Sequence, residues 1–157
     1  MTEAFIYDAI RTPRGKGKPG GALYEVRPLE LLGALLVGLK ERYQLDTSLV
    51  EDLLLGCVTP IGDQGYNVGK AALLYADWSD RVPALQLNRY CASGLETVNL
   101  CAAKVQAGLG RLFLAGGLES MSRVRMGSDG GALLTDPELI SRVPYLPQGV
   151  AADLIAT

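Results

Sequence analysis

The sequence predicts an α/β fold, a mostly parallel sheet with helices over both faces. Two observations lead there. Short apolar runs alternate with longer amphipathic ones, and the short runs are apolar throughout rather than at every second residue, as strands buried on both faces require. With 157 residues, 48% hydrophobic and 20% charged, the chain has room for one compact domain of ordinary globular composition.

Residues 4–10, AFIYDAI, read as a first strand. The Gly and Pro clusters of RTPRGKGKPGG then mark a loop. Pro28 suits a first helical position, and Leu29, Leu32, Leu35 or Leu36, Leu39 and Tyr43 recur at helical spacing behind it. The alternation continues with a strand over 52–58, a helix over 67–76 and a strand over 84–88. A long helix from about 91 to 106 and a strand over 111–117 follow, giving a βαβαβαβ succession. After Gly117 the texture changes to Gly and Pro punctuation, with one short helix near 136–142. Val150 and Leu154, four apart, begin another helix that stops without Gly, a basic last turn or Pro, so the C-terminus reads as cut. Residues 1–117 are therefore expected to form the α/β core and 118–157 an excursion from it.

Composition excludes several functions. A formal net charge of −2 with mixed signs leaves no basic footprint for nucleic acid. No apolar run reaches the roughly 18 residues of a membrane span, and MTEAFIYDAI is no secretory leader, so a soluble, cytoplasmic protein is expected. Cys57, Cys91 and Cys101 are odd in number and lack CxxC spacing, which points to reduced thiols rather than disulfides or zinc. The absence of histidine removes the usual general base and the commonest metal ligand.

Gly15, Gly17 and Gly20 spell GxGxxG after a strand, yet Pro19, Gly20 and Gly21 keep the backbone irregular where a dinucleotide-binding helix should open. A solvated loop is the better reading, also for the basic run Arg11, Arg14, Lys16 and Lys18. Cys101, amid Leu100, Ala102 and Ala103, and Cys57, at a strand end, read as small core residues.

Cys91 differs because LQLNRYCASGL places it between a strand and a helix. Helix N-termini favour negative charge and so the nucleophilic thiolate. Ala92, Ser93 and Gly94 are small enough to leave room for a substrate carbonyl, and Cys91, Leu95, Val98, Ala102 and Val105 form a stripe expected to anchor the helix. A reactive thiol and a small apolar residue opening an amphipathic helix both fit these residues.

NRYCASGLETVN, with IRTPRG before it, GCVTPIGDQGYNVGK between and AGGLESMSR after, resembles the thiolase family in order and spacing. The likeness is greatest to degradative 3-ketoacyl-CoA thiolases that form the β subunit of a fatty-acid oxidation complex with a hydratase/dehydrogenase α subunit. It implies that Cys91 is the acyl-accepting nucleophile, its backbone N–H helping to bind the oxyanion, with coenzyme A as co-substrate and no resident cofactor or metal. Complete thiolases have two βαβαβαββ halves and a loop domain inserted in the first. The second half supplies a Gly-His-Pro base, an Asn-Glu-Ala-Phe segment and a second Cys, none of which occurs here. The resemblance thus implies a first half, ending as the loop domain begins and inactive or nearly so alone, at best acylated once. It also implies a homodimer core, often paired into tetramers. Gln148 and Gly149 stand where many biosynthetic relatives have Met-Gly near the acyl site, which makes Gln148 a candidate substrate contact. Two rivals are kept: a non-catalytic binding or assembly half of a split enzyme, and an NAD-dependent oxidoreductase resting on Gly15, Gly17 and Gly20.

Overall fold

A computed structural model describes residues 3–143 and 145–157. Helix α1, Pro28–Tyr43, begins where Pro presets the backbone, and the Glu30 carboxylate accepts the Arg27 amide at 2.9 Å. Gln44, in the left-handed conformation, ends it. Next come β1 (Asp52–Gly56), α2 (Val68–Tyr75), β2 (Ala84–Leu87), α3 (Ser93–Gln106) and β3 (Phe113–Gly117). Three short helices follow, α4 (Ala132–Thr135), α5 (Pro137–Arg142) and α6 (Gln148–Ala156). Asp136 caps α5 by accepting from the Leu139 amide at 2.8 Å.

The sheet has the order β2-β1-β3 and is parallel throughout, with Gly56 level with both Leu87 and Gly117. All three C-terminal strand ends therefore lie along one edge. Side chains of β1 alternate between two faces. Leu53 and Leu55 lie against α2, where Gly69 permits close contact, and α1 packs onto α2 in turn. Leu54 and Gly56 face the other way, toward α3. Burial on both faces explains why this strand is apolar without alternation, each leucine contributing about 1.5–3 kcal/mol. The main core joins Leu32 and Leu36 of α1 with Leu53, Leu55, Ala72, Leu73 and Trp78.

The α/β expectation holds for this architecture, but the first strand does not form. Residues 4–10 form no regular element and have no ladder partners, and Phe5, Ile6 and Tyr7 are exposed. A strand exists only when a neighbour takes its N–H and C=O groups, and no strand among the described residues lies beside this segment. It is tethered instead through Asp8, which accepts from Arg42 at 2.7 Å and from the Tyr43 hydroxyl at 2.9 Å. Those bonds, Tyr43's first, hold the Asp8 carboxyl below its ordinary range.

A second correction concerns α3. Its buried residues are Ser93, Thr97 and Cys101, whereas Cys91 and Leu95 are exposed and Val98, Ala102 and Val105 only half-buried. The side facing the sheet is the more polar one, because it must lie against the glycines ending β1 and β3 and find partners on their backbone. The Thr97 hydroxyl bonds the Gly116 carbonyl at 3.1 Å. After β3 the chain is stapled back: Arg123 donates to Asp63 at 2.7 Å and to the Tyr24 carbonyl at 2.8 Å.

Candidate active site

The turn from β2 into α3 occupies the C-terminal edge of the sheet, where parallel α/β folds gather functional groups. Helix α3 begins at Ser93 with Ala92 as its cap, so Cys91 lies just outside the first turn rather than within it. Its side chain is exposed. Among the described residues its amide donates no hydrogen bond, while the next two amides close the turn, Ala92 onto the Arg89 carbonyl and Ser93 onto that of Tyr90. A thiol and an unengaged N–H thus belong to one residue.

The chain reaches this arrangement through Tyr90, whose φ is +49°. A bulky residue in the left-handed region carries strain of about 1–3 kcal/mol and persists only where its surroundings hold it. Two side chains do so. Asn88 Oδ1 accepts the Tyr90 amide at 2.8 Å, and Asn88 Nδ2 donates to the Val58 carbonyl at 3.0 Å. The Ser93 hydroxyl accepts the Arg89 amide at 2.9 Å and donates to the Tyr90 carbonyl. Ser93 is buried against the strands, as is Thr97 one turn on. The small residues after Cys91 therefore serve close packing: Ser93 and Gly94 lie over Gly56, and Gly94 over Gly117.

Beneath the turn lies a buried polar cluster. Gln64, fully buried, donates to the Thr59 carbonyl at 3.0 Å and to Glu119 Oε1 at 2.8 Å, and its own carbonyl oxygen accepts the Ser120 amide. Glu119 Oε2 accepts the Val58 amide at 2.7 Å. The loop after β1, the loop after β3 and the Cys91 turn are thereby connected through side chains. Composition did not single out Gln64 or Glu119, which stand among other polar residues in their motifs.

The other two thiols are unlike Cys91. Cys57 is buried at the end of β1, and burial, followed by the nearby Glu119 charge, pushes its thiol up to about 11. Burial likewise pushes Cys101 up to about 11, opposed in part by Lys104. Both stay protonated near neutrality, so Cys91 is the accessible thiol of the three.

Residues 4–136 match the sequence profile of the thiolase N-terminal domain. The chain belongs to the thiolase family. A 3-oxoadipyl-CoA/3-oxo-5,6-dehydrosuberyl-CoA thiolase of Escherichia coli is 43% identical over 124 residues, which is 78% of this chain and 30% of that protein. A 3-ketoacyl-CoA thiolase of Saccharophagus degradans is 38% identical over 79% of this chain and 32% of its own length. The crystal structure of Bacillus anthracis acetyl-CoA acetyltransferase superposes with a TM-score of 0.61 at 30% identity, covering 68% of this chain and 27% of that one. The present chain spans about a third of the length of the curated relatives it matches.

Two further candidate positions in this thiolase-family chain are Gln148 and the glycine loop. Gln148 opens α6, is exposed, and among the described residues its side chain makes no hydrogen bond. The glycine loop carries no helix: Gly15 and Gly17 lie in irregular backbone that runs to Arg27, so the geometry of a dinucleotide fingerprint is absent. Gly17 instead faces Met121, whose Cβ would stand 2.8 Å from an added side chain. Arg14 and Lys16 of that loop, with Leu31, Leu35 and Met121, line a cavity of about 360 Å³ that does not include Cys91. Among the described residues no group of His, Cys, Asp and Glu could hold a metal ion, and no helix is long and apolar enough to cross a membrane.

Proposed function

We propose that this chain carries the nucleophilic half of a thiolase active site, in which Cys91 accepts the acyl group of a 3-ketoacyl-CoA. The sulfur of Cys91 attacks C3, the new S–C bond forms, and the C2–C3 bond breaks with its electron pair leaving on acetyl-CoA, which takes a proton at C2. The thiol of a second coenzyme A then attacks the acyl-cysteine, returning the sulfur of Cys91 and releasing an acyl-CoA two carbons shorter. The observation that carries this reading is the pairing, at one residue, of an exposed thiol with an unengaged amide on the strand-end edge. That amide is the kind of fixed donor a developing oxyanion needs. The relatives' names support the substrate class, since the Escherichia coli and Saccharophagus degradans proteins are named thiolases of 3-oxo- or 3-ketoacyl-CoA compounds.

The proton at C2 comes, on this reading, from groups outside the chain, which has no histidine. Residues 118–157 are taken as the start of an inserted loop domain, with Gln148 as a substrate contact. A place in fatty-acid β-oxidation, a cytoplasmic homodimer or tetramer and a hydratase/dehydrogenase α subunit are further parts of the proposal, and coenzyme A serves as co-substrate without a resident cofactor.

Acyl transfer is tested by incubating the protein with acetoacetyl-CoA or acetyl-CoA and reading the intact mass. The expected result is one acetyl group on Cys91, lost in Cys91→Ala; an adduct retained in that variant would remove Cys91 from the role. A second reading, assembly with a separate polypeptide, draws on exposed Phe5, Ile6 and Tyr7. Co-purification of a chain bearing the remaining catalytic groups would favour it.

A further inference from the structure

The strained residue before Cys91 needs a partner to hold it, and the structure supplies one beyond the nucleophile itself. We infer that Asn88 is a positioning residue for Cys91. Its carboxamide clamps Tyr90 in the left-handed conformation and ties the turn to the end of β1. This deepens the acyl-transfer reading and rests on it for the catalytic consequence.

The geometry is a two-sided grip. On one side Asn88 Oδ1 accepts the amide of Tyr90 at 2.8 Å; on the other Nδ2 donates to the carbonyl of Val58 at 3.0 Å. The peptide group that contains that carbonyl is followed by Thr59, whose own carbonyl bonds Gln64 at 3.0 Å, and the amide of Val58 is fixed by Glu119 at 2.7 Å. Glu119 is in turn held by buried Gln64. The hydrogen bonds therefore run from the buried cluster through the Val58 backbone and the Asn88 side chain to the amide of Tyr90, one residue from the sulfur. An Asx-type bond of this kind suits a residue two positions before a left-handed one.

Ser93 bonds the same turn from the helix side, at the Arg89 amide and the Tyr90 carbonyl. It does not touch the Tyr90 amide. Among the described residues Asn88 alone engages that N–H with a side chain and at the same time reaches a neighbouring strand end. Without it Tyr90 can relax out of the left-handed region, and both donor directions at Cys91, N–H and S–H, turn with it.

The test uses three forms of the protein, wild type, Asn88→Ala and Asn88→Ala/Tyr90→Gly, with two readouts. Acetyl transfer from acetyl-CoA to Cys91, followed by intact mass, is expected to slow about tenfold in Asn88→Ala, the scale of one directed hydrogen bond plus released strain. Glycine adopts positive φ freely, so Tyr90→Gly in that background is expected to restore the rate to within about threefold. A structural defect elsewhere would not be rescued this way. Unchanged acylation in Asn88→Ala, or a loss that Tyr90→Gly does not restore, overturns the inference. Hydrogen exchange of the Tyr90 amide reads the clamp without acyl chemistry: about a tenfold acceleration in Asn88→Ala supports it and unchanged exchange overturns it. A wild type that takes up no acetyl group would therefore count against the acyl-transfer reading, while exchange still decides the role of Asn88.

Discussion

Gly56, at the end of β1, lies so near Ser93 that a Cβ on it would stand 2.6 Å from the Ser93 carbonyl carbon and 2.8 Å from the Gly94 nitrogen. The contacted atoms are backbone, which cannot swing aside. Gly56→Ala is therefore expected to destabilise the chain by about 1–3 kcal/mol through overpacking. It should also displace the start of α3 and slow acylation of Cys91. Urea unfolding and the mass-shift assay measure the two effects, and wild-type values for both would show that the helix start is not seated by this contact.

Gln64 is the centre of the polar cluster under the turn. Gln64→Leu keeps much of the volume but leaves the Ser120 amide and Glu119 without their buried partner. A loss of about 2–3 kcal/mol is expected, from unsatisfied polar groups rather than from a cavity. A shift in the urea midpoint at unchanged slope reports it. Equal stability would mean that water replaces both bonds.

The buried thiols set an alkaline limit. Cys57 and Cys101 release their protons near 9 when unfolded and near 11 when folded. Their contribution is complete below about pH 9. Above it the unfolded chain binds fewer protons, so stability falls as pH rises toward about 11, by up to about 3 kcal/mol for each thiol. Unfolding curves taken at about pH 8 and about pH 10.5 should show this, with a smaller drop in Cys57→Ala/Cys101→Ala. At about pH 8 iodoacetamide should label Cys91 well before the other two, as peptide mapping would reveal.

How much of this could be read along the chain depended on range. The helix at Pro28, the apolar β1 and the short helix near 136–142 carry their causes within a few residues, and each appears within a residue or two of its expected place. The interest of Cys91 was legible for the same reason, since a strand, a Cys and a small-residue helix start are neighbours in sequence. The face that α3 buries was not, because its apolar stripe is exposed or only half-buried while its polar side meets glycines contributed by other strands. Nor was the strand over 4–10, whose composition suits a sheet but whose ladder needs a neighbour.

By itself the sequence determined the alternation of apolar runs and amphipathic helices, the place of Cys91 between a strand and a helix, and the motifs shared with thiolases; that its thiol is exposed came from the structure. Tertiary structure alone decided that Cys91 sits outside the helix behind a strained Tyr90, that Asn88 reaches Val58 across 30 residues, and that Gln64 meets Glu119 across 55. Hydrogen bonds and close approaches between distant segments depend on which strand ends the parallel register sets side by side, and no local pattern encodes that register.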